Sequence, residues 1–379
     1  MTPRHGSTQA FRDSRTPLAL AGAVAAAALA AGGCTTRNPY ADPFWAYAPQ
    51  PGASVASHFQ ASPYQLAVFR GDNGQSIDWN GLWNGIRWAD IVIVGEQHDD
   101  ASAHQVQRAI AEETFAAWPG CAVSLEMLER NEQPIVDAYL RGEITKDEFV
   151  TRTHSRDWAS KGSWDDFYQP VIDAAKDAGA PVIAANAPRE YVRRARTEGY
   201  EALAALPPEE RANFAIPAGD PPATYRQRFK DLMSGDGAHE VSDAQVDDVL
   251  RSQRTWDATM AESIVNAWRA APSGGKVVHL VGQFHSEYDG GLVSEIQHRA
   301  SNARILTISV QKGEAYALRA EDRGKADVVV YGIAPRPAWT GFNAGMAGTK
   351  GDAPKSTAPG APAGAAAAEE PLPTWGFAY

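Results

Sequence analysis

Cysteine is almost missing from this sequence: Cys34 and Cys121 are the two in 379 residues. A disulfide-stapled scaffold is thereby excluded, and stability has to come from a packed core. Basic residues are also in deficit, with 35 Lys and Arg against 46 Asp and Glu, a net charge of −11 and an isoelectric point near 5.3. A general nucleic-acid binder needs a basic face to neutralise phosphates, so that class is set aside. Several catalytic signatures are missing too: there is no H-E-x-x-H helix, no G-x-S-x-G nucleophile elbow, no P-loop and no dinucleotide glycine pattern.

Long apolar runs are equally scarce. Pro17 to Ala31 is too short for a comfortable membrane span, and it follows a positive leader of Arg4, Arg12 and Arg15. It ends in Ala31-Gly32-Gly33-Cys34, small residues before a cysteine that resemble the bacterial lipoprotein signal. Residues 1–33 are thus expected to be a signal peptide, with Cys34 lipidated and the protein exported. An ordinary secretory peptide is the alternative. A lipidated Cys34 leaves Cys121 alone at the head of "CAVSLEM", where a small core residue is expected rather than a reactive thiol.

What is present reads as an α/β protein. Residues 34–64, rich in Pro, Ala, Ser and aromatics, read as a tether, and 341–379 as a disordered Ala/Gly/Pro tail. Between them, in 65–340, six short apolar runs alternate with helical patterns: 90–96, 122–127, 181–188, 276–285, 304–311 and 327–332. Val- and Ile-rich runs separated by helices predict a mostly parallel sheet flanked by helices. Ser163 with Asp166, and Ser242 with Gln245, predict two capped helices. Gln253 falls among the apolar positions of the second, where an unpaired amide is costly, so it is expected to face a partner or a pocket. About 190–240 is charged, carries two Pro-Pro pairs and has no strand signal, which predicts a small helical subdomain inserted between core strands.

Chemistry collects where the strands end. The first run delivers Glu96 and His98, the second Glu126, the third Asn186 and Arg189, and the fourth Gln283 and His285. In open parallel sheets the βα loops converge outside the carboxyl ends, where ligands bind. A lone Glu or His after a strand is usually a cap or a solvated residue, but the same pattern on four strands favours a shared site. Glu96, His98, Glu126 and His285 could hold a divalent metal, or a histidine beside a glutamate could act as general base. The same histidines could instead hydrogen-bond a large ligand. His104, six residues beyond His98, is poorly spaced for one helix face and is expected at the surface.

The order of these pieces resembles the ChaN family of haem-binding uptake lipoproteins, grouped with the Tiki proteases and erythromycin esterases. The resembling residues are Gly95-Glu96-x-His98, Glu126-Met127 with Gln133, "ANAPR" at 185–189, "SQRTWDATMA" at 252–261 and "GQFH" at 282–285. The resemblance covers about residues 85–315. It implies a periplasm-facing, membrane-anchored lipoprotein of the bacterial envelope, expected at the outer membrane, that binds haem for iron uptake and in some members dimerises around haem. The covalent c-type haem signature is missing. Haem iron can be held by Tyr or His, and the insertion offers Tyr191, Tyr200, Tyr225 and His239, with His239 slightly preferred; Gln253, Trp256, Asn186 and Arg189 complete the expected haem-binding set. Binding of haem or another tetrapyrrole is the favoured function. A metal-dependent or His/Glu-based hydrolase is the alternative, with Glu96, His98, Glu126 and His285 as its catalytic or metal-holding residues.

Overall fold

The computed structural model describes residues 66–235, 241–272 and 274–332. Cys34, His239, the tether and the tail lie outside the described residues. Two short strands, β1 (Ala67–Arg70) and β2 (Ser76–Ile77), precede helix α1 (Trp79–Trp88). Then come β3 (Ile91–Glu96), α2 (Ala101–Ala117), β4 (Ala122–Glu129), α3 (Gln133–Leu140), α4 (Lys146–Arg152), α5 (Ser163–Phe167), α6 (Gln169–Ala178) and β5 (Val182–Asn186). The insertion contributes α7 (Arg189–Glu198), α8 (Tyr200–Ala204), α9 (Pro208–Arg211) and α10 (Ala223–Ser234). The chain continues through α11 (Asp243–Ala270), β6 (Val277–Gly282), α12 (Gly291–Arg299), β7 (Ile305–Lys312) and β8 (Val328–Gly332).

The eight strands form one sheet in the order β2-β1-β8-β7-β3-β6-β4-β5. The six strands expected from the Val and Ile runs are all present and pair in parallel; β1 and β2 add an antiparallel margin. Side chains alternate across the pleat. Val92, Val94, Val123, Leu125, Val278 and Leu280 pack with α2 and α6 on one face. Ile91, Ile93, Ala122, Val277 and Val281 pack with α11 and α12 on the other. Both faces are covered, so the central strands read as unbroken apolar runs, and each buried Val or Ile contributes about 1.5–3 kcal/mol relative to leaving it in water.

The connections explain where a crevice opens. From β3 the chain crosses through α2 to β4, passing over β6; from β6 it crosses through α12 to β7, passing over β3. The two crossovers leave adjacent strands in opposite directions, so their loops part at the carboxyl ends of β3 and β6. The insertion, with its own small core of Tyr191, Val192, Leu203 and Phe214, packs against Trp256 of α11 beside this opening. Arg130 fastens the arrangement: its guanidinium donates to Ser263 Oγ, the Thr259 carbonyl and Glu262 of α11, and to the Ala212 carbonyl of the insertion.

Two local expectations change. Ser242 and Gln245 do form a capping box, but Ser163 does not cap: Gly162 stands at the N-cap, and Ser163 Oγ instead accepts from the Ala159 and Ser160 amides. The helix that Ser163 was expected to cap is two helices, α5 and α6, joined at Tyr168. Cys121 is buried, and burial pushes its thiol up to about 12, so it stays protonated as a core residue.

At the outer edge of the sheet, Gln133 lies alongside β5. Its Nε2 donates to the Val182 carbonyl at 2.9 Å, and its Oε1 accepts from the Ala184 amide at 2.8 Å.

Candidate functional site

Glu96 is the last residue of β3 and 1% exposed. Its Oε1 is met by two hydrogen-bonding groups, while Oε2 has no aligned hydrogen-bond partner. His98 Nδ1 and the Tyr168 hydroxyl reach Oε1 at 2.9 and 2.8 Å, and His104 Nδ1 lies 2.9 Å from Oε2. Burial, the largest influence, raises the Glu96 pKa, but the hydrogen bonds and charges of His104 and His98 outweigh it and hold the group at about 2. His98 sits in the loop between β3 and the N-cap Asp100, which accepts from the Ser102 amide. With Nδ1 turned to Glu96, the ring lines the crevice with Nε2 beside Gly282, and it stands edge-on to Trp158.

His104 corrects the expectation of a surface residue. It is 3% exposed, stacked on Phe167, and its Nε2 donates to the His98 carbonyl at 3.1 Å. Its Nδ1 also meets Gln107 Oε1 at 3.1 Å, and Gln107 Nε2 is anchored on the Val94 carbonyl. Burial pulls both imidazoles down, yet Glu96 lifts His98 and His104 above their ordinary value.

The facing wall is built on β4, β6 and α11. Register shifts along β4 between Leu125 and Glu129, and this irregularity aims Glu126 into the opening. Glu126 Oε2 accepts from the Gly282 amide at 2.6 Å, and Asn186 Nδ2 donates to the Glu126 carbonyl at 2.9 Å. His285 Nδ1 meets Asp257 Oδ1 at 2.6 Å, and its Nε2 lies 3.6 Å from Glu126 Oε1. The Tyr225 hydroxyl donates to Asp257 Oδ2 at 2.6 Å. Burial lowers the His285 pKa most, but Asp257 and Glu126 together raise it overall. Gln253 is 2% exposed, its Nε2 beside the His285 ring and its Oε1 without a hydrogen-bond partner, so it faces the crevice as the sequence predicts.

Between the walls lies Gly282. A Cβ there would fall 2.9 Å from His98 Cε1 and 3.4 Å from Glu126 Oε2, so the absent side chain keeps the two apart without filling the gap. The crevice has a volume of about 600 Å³, within the range of small-molecule and cofactor sites. Met127, Trp158, Leu232, Trp256 and Phe284 supply its apolar surface, and Glu129, Glu132, His154 and Arg189 its polar margin.

The expected residues therefore divide. Glu96, His98, Glu126, His285, Gln253, Trp256, Asn186 and Arg189 line one crevice. Asn186 and Arg189 also serve the frame: Asn186 ties β5 to β4, and the Arg189 amide donates to Glu129 Oε1 at 3.2 Å while its side chain is about half exposed. Tyr225 is 1% exposed and is not among the residues lining the crevice; its hydroxyl donates to Asp257. Tyr191 and Tyr200 belong to the core of the insertion. Among the described residues no group of three or more His, Cys, Asp or Glu is set to hold a metal ion. Glu96 Oε1 is engaged by His98 and Tyr168, and Glu126 Oε2 by the Gly282 amide.

A family model described as haem-binding uptake, Tiki superfamily, ChaN matches residues 82–296, which include every crevice residue. The chain belongs to the ChaN family. Among solved structures its fold is similar to ChaN of Campylobacter jejuni with cofacial haem bound, at 18% identity and a TM-score of 0.53, covering 70% of this chain and 96% of that one. A lesser likeness is to an erythromycin esterase variant in its open conformation, at 13% identity and a TM-score of 0.36, covering 70% of this chain and 82% of that one. No curated protein matches the chain. Among the described residues, the donor set offers a haem iron an imidazole held from behind by a buried carboxylate, with its ring lining an aromatic-walled crevice.

Proposed function

We propose that this chain is an exported, lipid-anchored protein of the bacterial envelope, periplasm-facing and held by Cys34, that binds haem in the crevice for iron uptake. Haem would supply an iron that takes an axial ligand from the protein, a role we assign, among the described residues, to His98. The observation that carries this reading is the pair formed by Glu96 and His98, with Nδ1 fixed at 2.9 Å and the ring lining the crevice. Trp158, Trp256 and Phe284 offer faces and edges for a flat macrocycle.

The test is a hemin titration of the protein lacking residues 1–34, followed at the Soret band. Saturable one-site binding is expected, weakened at least tenfold, or about 1.4 kcal/mol, by His98→Ala and unchanged in band position by Tyr225→Phe. Unsaturable absorbance in the wild type would sink the haem reading. Anchoring is tested separately by labelled palmitate, whose incorporation should vanish in Cys34→Ser.

A hydrolase is the second reading, favoured by His285 held between Asp257 and Glu126 on the wall facing His98. An acid and a base flanking one gap is an arrangement for moving protons to and from water. Turnover of simple esters that disappears in Glu126→Gln and His285→Gln, with the fold intact, would establish it.

A further inference from the structure

Asp257 is fully buried and does not line the crevice, yet its carboxylate is gripped from both sides. The Tyr225 hydroxyl donates to Oδ2 and His285 Nδ1 meets Oδ1, each at 2.6 Å. Room for the carboxylate comes from Gly291, the first residue of α12, where a Cβ would collide with Oδ2. Three helices thus converge, α10 through Tyr225, α11 through Asp257 and α12 through Gly291, to set one carboxylate behind one imidazole.

The contacts decide which ring nitrogen of His285 carries the hydrogen. An ionised carboxylate only accepts, so Nδ1, facing Oδ1, is the protonated nitrogen. Gln253 Nε2 lies 3.2 Å from both ring nitrogens. Since Nδ1 already holds a hydrogen, the amide can donate only to Nε2. Glu126 Oε1 stands 3.6 Å from Nε2, too far for a hydrogen bond and suited to two acceptors facing each other. His285 and Glu126 both line the crevice. A proton taken up at Nε2 would lie against Glu126, with Asp257 behind the ring to balance the charge.

We infer that Asp257 is a positioning residue for His285: it fixes the ring as the Nδ1–H tautomer and leaves Nε2 as the basic nitrogen, beside Glu126 on the crevice wall. Use of that nitrogen on a bound water rests on the hydrolase reading of the site; the tautomer does not.

The test is NMR of the ligand-free protein with ¹⁵N-labelled histidine, the His285 signals being identified by their loss in His285→Gln. Where the ring is neutral, Nδ1 should read as the protonated nitrogen and Nε2 as the bare one, with the Nδ1 proton far downfield. Asp257→Asn should move that proton upfield. Gly291→Ala changes no titrating group and should act in the same direction, by pushing Asp257 aside. Tyr225→Phe should move it further downfield, because Asp257 then has one donor fewer. Loosened packing alone would shift all three alike. A wild-type His285 with its hydrogen on Nε2 overturns the inference and needs no variant to fold; an unmoved Nδ1 proton in a folded Asp257→Asn protein does the same. The second readout is hydrolysis of simple esters, where Asp257→Asn should lower kcat by roughly 10²-fold, the lower end of what a placed base supplies, with KM kept. If the wild type turns over no ester, the hydrolase reading falls, while the NMR result still decides the inference.

Discussion

Gly282→Ala adds a single methyl group at the point where the two walls of the crevice come nearest. The backbone of Gly282 is ordinary, at φ −58° and ψ 132°, so an alanine is conformationally allowed and the effect isolates the side chain. The new Cβ would lie 2.9 Å from His98 Cε1 and 3.1 Å from Nε2, against about 3.5–4.0 Å for a comfortable carbon contact. The strand cannot retreat, because Gly282 is in register with Glu96 and its amide is bonded to Glu126. His98 must therefore yield. Swinging it outward gives up its bond to the Glu96 carboxylate, about 1.5–3 kcal/mol for a hydrogen bond to a charged group; leaving it in place costs a comparable 1–3 kcal/mol of overpacking. Hemin affinity should fall roughly 10- to 100-fold, as when the support of a metal-binding histidine is removed. Thermal melts locate the stability loss and hemin titration the affinity loss. A folded Gly282→Ala protein that binds hemin with wild-type affinity and an unshifted Soret band would refute the assignment of His98.

The acid limb of stability should be set by Glu96. Its folded pKa of about 2 lies below the ordinary 4.5, so its contribution is present above about pH 4.5 and is lost as pH falls through 2; the shift corresponds to about 3 kcal/mol. Urea unfolding between pH 2 and 6 should show the gap between wild type and Glu96→Gln closing toward pH 2, and a constant gap would contradict it. The raised His98 and His104 act at the other end, stabilising fully below about 6.5 and losing that contribution as pH rises through their folded values. Tyr225→Phe should destabilise by about 1–3 kcal/mol by leaving Asp257 Oδ2 without its donor, with hemin affinity preserved; unchanged denaturant midpoints would show that the Tyr225 bond is idle.

The sheet was legible where burial on both faces writes apolar runs, and the four strand ends bearing Glu96, Glu126, Asn186 and His285 pointed to the crevice for the same reason. β1 and β2 escaped because four residues and two residues carry no periodicity; β2 pairs with β1, and β1 joins the sheet through β8, more than two hundred positions later. His104 was misplaced by an argument about helix faces that did not apply, since His98 precedes the helix and the two rings meet through Glu96. Tyr168 gave no local signal at all: it serves Glu96 from 72 residues away, at a helix break hidden under an even apolar pattern. Asp257 lay inside a motif already noted, but only the fold puts its carboxylate against His285 and close to Gly291, where a Cβ would come within 1.9 Å of Oδ2.

The glutamine lying beside β5 has a bearing on solubility. A sheet edge is a row of open donors and acceptors that invites a strand from another molecule. Gln133 answers one open acceptor and one open donor with a single amide, as a strand only one residue long would. Because an amide has one donor side and one acceptor side, it can end the ladder here but cannot continue it. Replacing Gln133 by alanine would leave the Val182 carbonyl and the Ala184 amide as a template, and the cost would be read in the chain's behaviour at high concentration rather than in its crevice.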